Sequence, residues 1–265
     1  MNIVVCVKQV PDTTEIKIDP VTNTLIRQGV PSIVNTFDRF ALELSLKIRD
    51  EVGGKVIVIS MGPGQAKDAL RECMGLGVDK AYLVSDRAFG GSDTLATSYV
   101  LSSAIRHIEG IDGKINLIMC GKQAIDGDTG QVGPEIAEHM DIPQITYVTD
   151  YKLRGHKPTF KRENDFGFDW IETTLPALIT VTKTDTAPRY PTFRSIIKAN
   201  QTEIPVLTSE DFSIDLVNCG LKGSPTKVKR TFTPIHENKV TLFSGKTPRE
   251  LARDLFIALD DAKIL

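Results

Sequence analysis

NLIMCGKQAIDGDTGQVGP, residues 116–134, joins an apolar run to a glycine-rich turn and then to a helical pattern. Asn116 to Cys120 read as a buried strand, and the helix is expected over 130–140. Gly127, Gly130 and Gly133 permit close backbone approach and unusual dihedrals. The first turn of a helix offers unpaired N–H groups at its positive end, so the turn has the makings of a phosphate seat. It is neither a Walker A loop nor GxGxxG. Asp126, Asp128 and Thr129 are equally at home as turn formers and a helix cap. Spacing alone leaves the two readings open.

The same strand–turn–helix unit repeats on the amino-terminal side. Ile3 to Val7 is a β-branched run. Pro11-Asp12 and Asp19-Pro20 predict a small hairpin after it. Phe37, Phe40, Ala41, Leu44 and Ile48 recur at helical spacing, with Asn35 as N-cap and Gly53-Gly54 as terminator. KVIVIS (55–60), a helix over 65–74, AYLVS (81–85) and a helix over 93–109 follow. Strands alternating with helices predict an α/β fold: a parallel sheet with helices on both faces, Rossmann-like and adenine-nucleotide-binding. Ligands of such sheets bind outside the carboxyl ends of the strands. The turns there hold Cys6, Asn35-Thr36-Phe37-Asp38 and Ser60-Met61-Gly62-Pro63-Gly64. An adenosine needs an apolar slot, backbone amides and a polar group for its ribose, and these turns supply all three. In the bland alternative Cys6 is core, Met61 a gap filler and Asn35 a cap.

The pattern changes near residue 145. Segments 145–153, 158–163, 168–172 and 177–182 read as short strands, an antiparallel layer added to the same domain. Residues 183–245 show no clear period. Thr247-Pro248-Arg249-Glu250 is a capping box with proline at the first helical position. Leu251, Leu255 and Leu259 then mark one helix face, packed on this chain or docked on another. The expected organisation is an α/β domain over 1–200 and a C-terminal arm and helix over 201–265.

Composition excludes several classes. A formal net charge of -2 leaves no global field for nucleic acid or an anionic membrane. No apolar run approaches the roughly 18 residues of a bilayer span. The amino-terminal apolar stretch is short and broken by Lys8, unlike a signal peptide. Cys6, Cys73, Cys120 and Cys219 form no CxxC pair, so metal ligation is not expected and a reducing cytoplasm is. His107, His139, His156 and His236 are scattered and form no nucleophile–base motif.

Taken together, VVCVKQVPD (4–12), VNTFDRFALELSLKIRD (34–50), VIVISMGPGQAKDALRECMGLGVDKAYLVSD (56–86) and CGKQAIDGDTGQVGP (120–134) resemble the beta subunit of electron-transfer flavoproteins. RENDFGFDWIETTLPALITV (162–181) resembles the family's diagnostic segment. PRYPTFRSIIKA (188–199) is similar to the loop that meets the dehydrogenases. The likeness runs in order over roughly residues 1–200. Phe166 and Asp169 depart from the usual signature, which puts the local turn in question.

The resemblance implies an adenine-nucleotide site at Cys6, Asn35, Thr36, Phe37, Asp38, Met61 and Gly62. The site continues through Gly121, Lys122, Gln123, Ala124, Ile125, Asp126, Gly127, Asp128, Thr129, Gly130, Gln131 and Val132. Ordinary members hold AMP there, and electron-bifurcating members hold FAD. GDTGQVGP and GGSDTLATS (90–98) resemble the bifurcating type, which adds Asp93, Thr94 and Thr97 as groups for a flavin or nicotinamide edge. A capped helix start at Ser92 or Asp93 is the plainer reading. The resemblance further implies an alpha-subunit partner in a heterodimer and hydride supply from NADH. Electrons would divide between ferredoxin or flavodoxin and, through an alpha-subunit FAD, an acyl-CoA dehydrogenase-type enzyme. Phe193, Arg194 and Ile196 would contact that enzyme. Lys222, Lys227, Lys229 and Arg230 read as a solvated arm over the alpha subunit. No catalytic side chain of this chain is implied. An ATP-using enzyme on a related fold would need an SGGxDS loop after the first strand, which is absent.

Overall fold

A computed structural model describes residues 1–12, 31–153, 157–229, 240–245 and 247–264. The hairpin expected at 11–20 falls largely outside them, as do His156 and His236. In chain order the first elements are β1 (Asn2–Cys6), β2 (Gln9–Pro11), β3 (Ser32–Val34), α1 (Thr36–Val52), β4 (Lys55–Met61), α2 (Lys67–Gly75) and β5 (Lys80–Val84). Then come α3 (Thr94–Asp112), β6 (Leu117–Gly121), α4 (Val132–Met140), β7 (Gln144–Lys152), β8 (Thr159–Asn164), β9 (Gly167–Glu172) and β10 (Ala177–Val181). The last are α5 (Phe193–Gln201), β11 (Val206–Leu207), α6 (Gly220–Gly223) and α7 (Pro248–Asp261).

Nine strands form one sheet in the order β11-β5-β4-β1-β6-β10-β7-β8-β9. From β11 to β7 every neighbouring pair is parallel. The crossovers explain the site's position. From β1 the chain steps outward through α1 to β4 and through α2 to β5. It then returns through α3 to β6, on the other side of β1. The strand order therefore reverses between β1 and β6, where a crevice opens at the carboxyl ends. Alternate residues of β1 serve the two faces. Ile3 and Val5 enter the core beside Ala41 and Leu44 of α1; Val4 and Cys6 enter the core beside Ala104 of α3 and Ile136 of α4.

The antiparallel strands expected after residue 145 are β7, β8 and β9. They continue the same sheet at one edge instead of forming a separate layer, and the fourth expected strand, β10, is parallel and lies between β6 and β7. All five residues of β10 are buried, as a strand covered on both faces must be. In the questioned turn, Phe166 is fully exposed and its N–H donates to Asn164 Oδ1 at 2.8 Å. Asp169 accepts from Asn164 Nδ2 at 2.7 Å.

The described residues fall into two compact units, Met1–Lys229 and Arg230–Leu265. Residues 201–229, grouped by composition with the arm, thus belong to the first unit. In the second, α7 begins with the expected box: Glu250 accepts from the Thr247 N–H at 2.8 Å and the Thr247 hydroxyl at 2.6 Å. None of its residues is buried. No described helix is long and apolar enough to cross a membrane.

Candidate nucleotide site

A cavity of about 570 Å³ occupies the crevice at the strand ends. That is an ordinary size for a small-molecule or cofactor site. Three loops wall it. Cys6 to Lys8 follow β1, Ser85 to Thr94 lead from β5 into α3, and Gly121 to Gly133 lead from β6 into α4. Met61, Gly62 and Asp38 also line it, and Thr97 lines it from α3.

The turn after β6 leaves the N-terminus of α4 open toward the cavity. Gln131 stands at the N-cap of α4 and makes no side-chain cap bond. Pro134 has no N–H, so Val132 and Gly133, both lining the cavity, carry the first-turn donors. Gly130 takes φ +65°, a left-handed conformation that glycine adopts without strain. Gly133 has a different reason. A Cβ there would stand 2.7 Å from Thr180 Cγ2, so the absence of a side chain lets α4 sit on β10.

The first turn of α1 holds two of the walls together. Asp38 Oδ2 accepts the Lys8 N–H at 2.7 Å and Oδ1 accepts the Gly121 N–H at 3.1 Å. Burial pushes the Asp38 carboxyl up from 3.8 to about 7, against the opposing pull of its hydrogen bonds from Asn35, Lys8 and Gly121. Gly121 must be glycine here, because a Cβ would lie 2.3 Å from Asp38 Oδ1 and 2.7 Å from the Phe37 carbonyl carbon. Asn35 has the N-cap position but not the capping bond. Its Nδ2 donates to the Gln123 carbonyl at 2.8 Å, and its Oδ1 accepts the Ile125 N–H at 3.1 Å. Lys8 Nζ closes the ring on Asp126 at 2.7 Å.

Most of the expected site residues therefore share one cavity: Cys6, Asp38, Met61, Gly62, Asp93, Thr94, Thr97, Gly121 to Ala124, Gly127 and Thr129 to Val132. Six lie outside the lining. Asn35 is buried beneath the loop, and Thr36 is exposed. The Phe37 ring lies 5.0 Å from Lys122 Nζ. Ile125 is exposed, Asp126 is paired with Lys8, and Asp128, at φ 51°, accepts from Gln123 Nε2 at 2.7 Å. Asp93 lines the cavity, but both its carboxylate oxygens are engaged, one by the Ala96 N–H at 3.1 Å and one by the Thr226 N–H at 3.0 Å. Lys8, Ser85, Asp86 and Phe89 also line the cavity, and sequence reasoning misses them. A signal exists for three of them, since Ser85, Asp86 and Phe89 follow β5 at the same sheet edge.

Cys6 and Cys120 are direct partners across β1 and β6. The hydrogen bond with Cys6, and then burial, push the Cys120 thiol well up, so it is held as an unreactive thiol. The segment expected as a dehydrogenase-contacting loop is helical instead. Thr192 caps α5, with Ser195 returning the bond, and Ser195 Oγ donates to the Gly75 carbonyl at 2.6 Å. Phe193 is 80% exposed and Ile196 41%, on the first turn of that helix.

A doubly wound, mostly parallel sheet with a cavity at its strand reversal, beside a helix whose N-terminus has no side-chain cap, defines the α/β class whose ligand sites lie at the carboxyl ends of the strands. The electron transfer flavoprotein domain matches residues 22–212. The chain is 49% identical over 266 residues to electron transfer flavoprotein subunit beta of Thermoanaerobacterium thermosaccharolyticum, covering 100% of both chains. It is 53% identical over 237 residues to the subunit of the same name from Megasphaera elsdenii, covering 88% of each. It is 46% identical over 266 residues to the caffeyl-CoA reductase-Etf complex subunit CarD of Acetobacterium woodii, covering 100% of both. The chain belongs to the electron transfer flavoprotein beta-subunit family.

Proposed function

We propose that this chain binds FAD in the cavity between β1 and β6 and works with an alpha subunit as an NADH-oxidising, electron-bifurcating flavoprotein. One observation carries the reading. The glycine-rich turn at Gly121–Val132 and the segment at Asp93–Thr97 wall the same cavity of about 570 Å³. The space thus continues past the phosphate seat to a second polar wall. The residues fit the group. Val132 and Gly133 would hold a pyrophosphate at the helix end. Cys6, Met61 and Gly62 would flank the adenine. Thr94 and Thr97 would face the flavin half. When bound, the flavin supplies hydride acceptance from NADH and electron release to two acceptors, a ferredoxin or flavodoxin and the alpha-subunit FAD that serves an acyl-CoA dehydrogenase-type enzyme. This chain's own residues position and desolvate that group. The exposed Phe193 and Ile196, with Arg194, would meet the dehydrogenase. The reading places the protein in the cytoplasm, where its four free, buried thiols stay reduced.

The alternative is AMP in the same seat, as a structural ligand. The engagement of both Asp93 oxygens favours it in one respect, because it leaves that carboxylate fewer free lone pairs for a flavin. Co-expression with the alpha subunit, denaturation and a count of released cofactors decides between them. Two FAD and no AMP per heterodimer is the expected result. One FAD and one AMP would reduce the chain to a structural partner in a simple electron carrier.

A further inference from the structure

One wall of the cavity is held from behind by a segment remote in sequence. Residues 219–226 lie against the loop joining β5 to α3, and Asp93 is the joint. Its Oδ1 caps α3 through the Ala96 N–H, while its Oδ2 accepts the Thr226 N–H. Its own N–H donates to Ser224 Oγ at 2.8 Å, and the buried Ser224 hydroxyl donates on to the Gly220 carbonyl at 2.7 Å. The Gly220 N–H donates to Ser92 Oγ at 3.1 Å. The two backbones meet closely, since a Cβ on Gly220 would stand 2.3 Å from the Ala88 carbonyl oxygen. Such a contact excludes any side chain at Gly220, so the fit is specific to these two segments.

We propose that Cys219–Thr226 is a strap that keeps the Gly90–Thr94 wall of the cavity in place, with Asp93 as the positioning residue that joins strap to wall. Asp93 then serves the bound nucleotide through backbone geometry and not through its carboxylate. The coupling is reciprocal: a nucleotide against the wall tightens the strap, and a loosened strap releases the nucleotide faster. The inference rests on reading the cavity as an adenine-nucleotide site.

Lys222 on the strap and Lys227 immediately after it are exposed and provide the readout. On the full-length chain, binding of AMP and of FAD is first measured by calorimetry. Tryptic cleavage at Lys222 and Lys227 is then timed by mass spectrometry with and without each nucleotide. Saturating nucleotide is expected to slow cleavage about fivefold or more in the native protein. Asp93→Asn keeps an oxygen to cap α3 but places an NH₂ where Thr226 needs an acceptor. It should abolish the protection and speed nucleotide dissociation by a similar factor, with α3 still folded. Ser224→Ala cuts the second link and should act the same way, which carries the test should Asp93→Asn fail to fold. Nucleotide binding without protection overturns the strap, as does equal protection in both variants. Failure of both nucleotides to bind overturns the cavity reading itself, and this inference with it.

Discussion

Helices α3 and α4 both point their amino ends at the cavity, and they are finished in opposite ways. Asp93 caps α3 with one oxygen and holds the strap with the other. Burial opposes its ionisation, yet the Ala96 and Thr226 bonds together hold its carboxyl below the usual carboxylate value. At α4, Gln131 caps nothing, and Val132 and Gly133 line the cavity. An N-terminus satisfied by its own side chain contributes to stability; one left open is available to an anion. The same local element is thus closed by its own side chain at one wall and left open at the other.

The largest effect is expected at the base of the α4 loop. Gly121→Ala drives a Cβ into Asp38 and the Phe37 backbone, and should cost about 3 kcal/mol in denaturant unfolding while abolishing nucleotide binding. Asp93→Ala removes a cap and a strap bond together, for an expected loss of about 2 kcal/mol by the same measurement. An effect confined to a pH window concerns Asp38, whose raised folded-state pKa makes the native state hold a proton more tightly than the unfolded chain does. Its contribution to stability is present at low pH and lost as pH rises from about 4 to about 7. The slope is at most about 1.4 kcal/mol per pH unit. Asp38→Asn should flatten that part of the stability–pH curve, and an unchanged difference between the two proteins across the window would refute the assignment. Least is expected of Gln131→Ala, within about 0.5 kcal/mol of the native protein. Gln131→Asp sharpens the contrast. It supplies α4 with a cap, raising stability by about 1 kcal/mol, and puts a negative charge in the seat, weakening nucleotide binding about tenfold.

Much of this architecture is legible in the amino-acid sequence. The strand–helix alternation of residues 1–140 can be read off because apolar spacing is a local property. The turn at 121–132 stands out because glycines after a buried strand and before a helix are unusual. The capping box at Thr247 needs only four adjacent residues. Other features are not legible, for identifiable reasons. Helix α5 reads as a loop because it is short and amphipathic against α2, with prolines nearby. β10 reads as part of an antiparallel layer, although a run apolar at every position but Thr180 is the mark of a central parallel strand. Asn35 reads as a helix cap, whereas its amide spans the Gln123 carbonyl and the Ile125 N–H.

The amino-acid sequence alone carries the fold class, the edge of the sheet where the cavity lies and most of the side chains that gather there. Each depends on residues within a turn or two of one another. Long-range packing sets β10 between β6 and β7, turns Asn35 onto the loop and engages both oxygens of Asp93. Those outcomes rest on partners far apart in the chain, 133 residues in the case of Asp93 and Thr226. A carboxylate's freedom to bind depends on which distant N–H groups reach it first, and that is a property of packing, not of spacing.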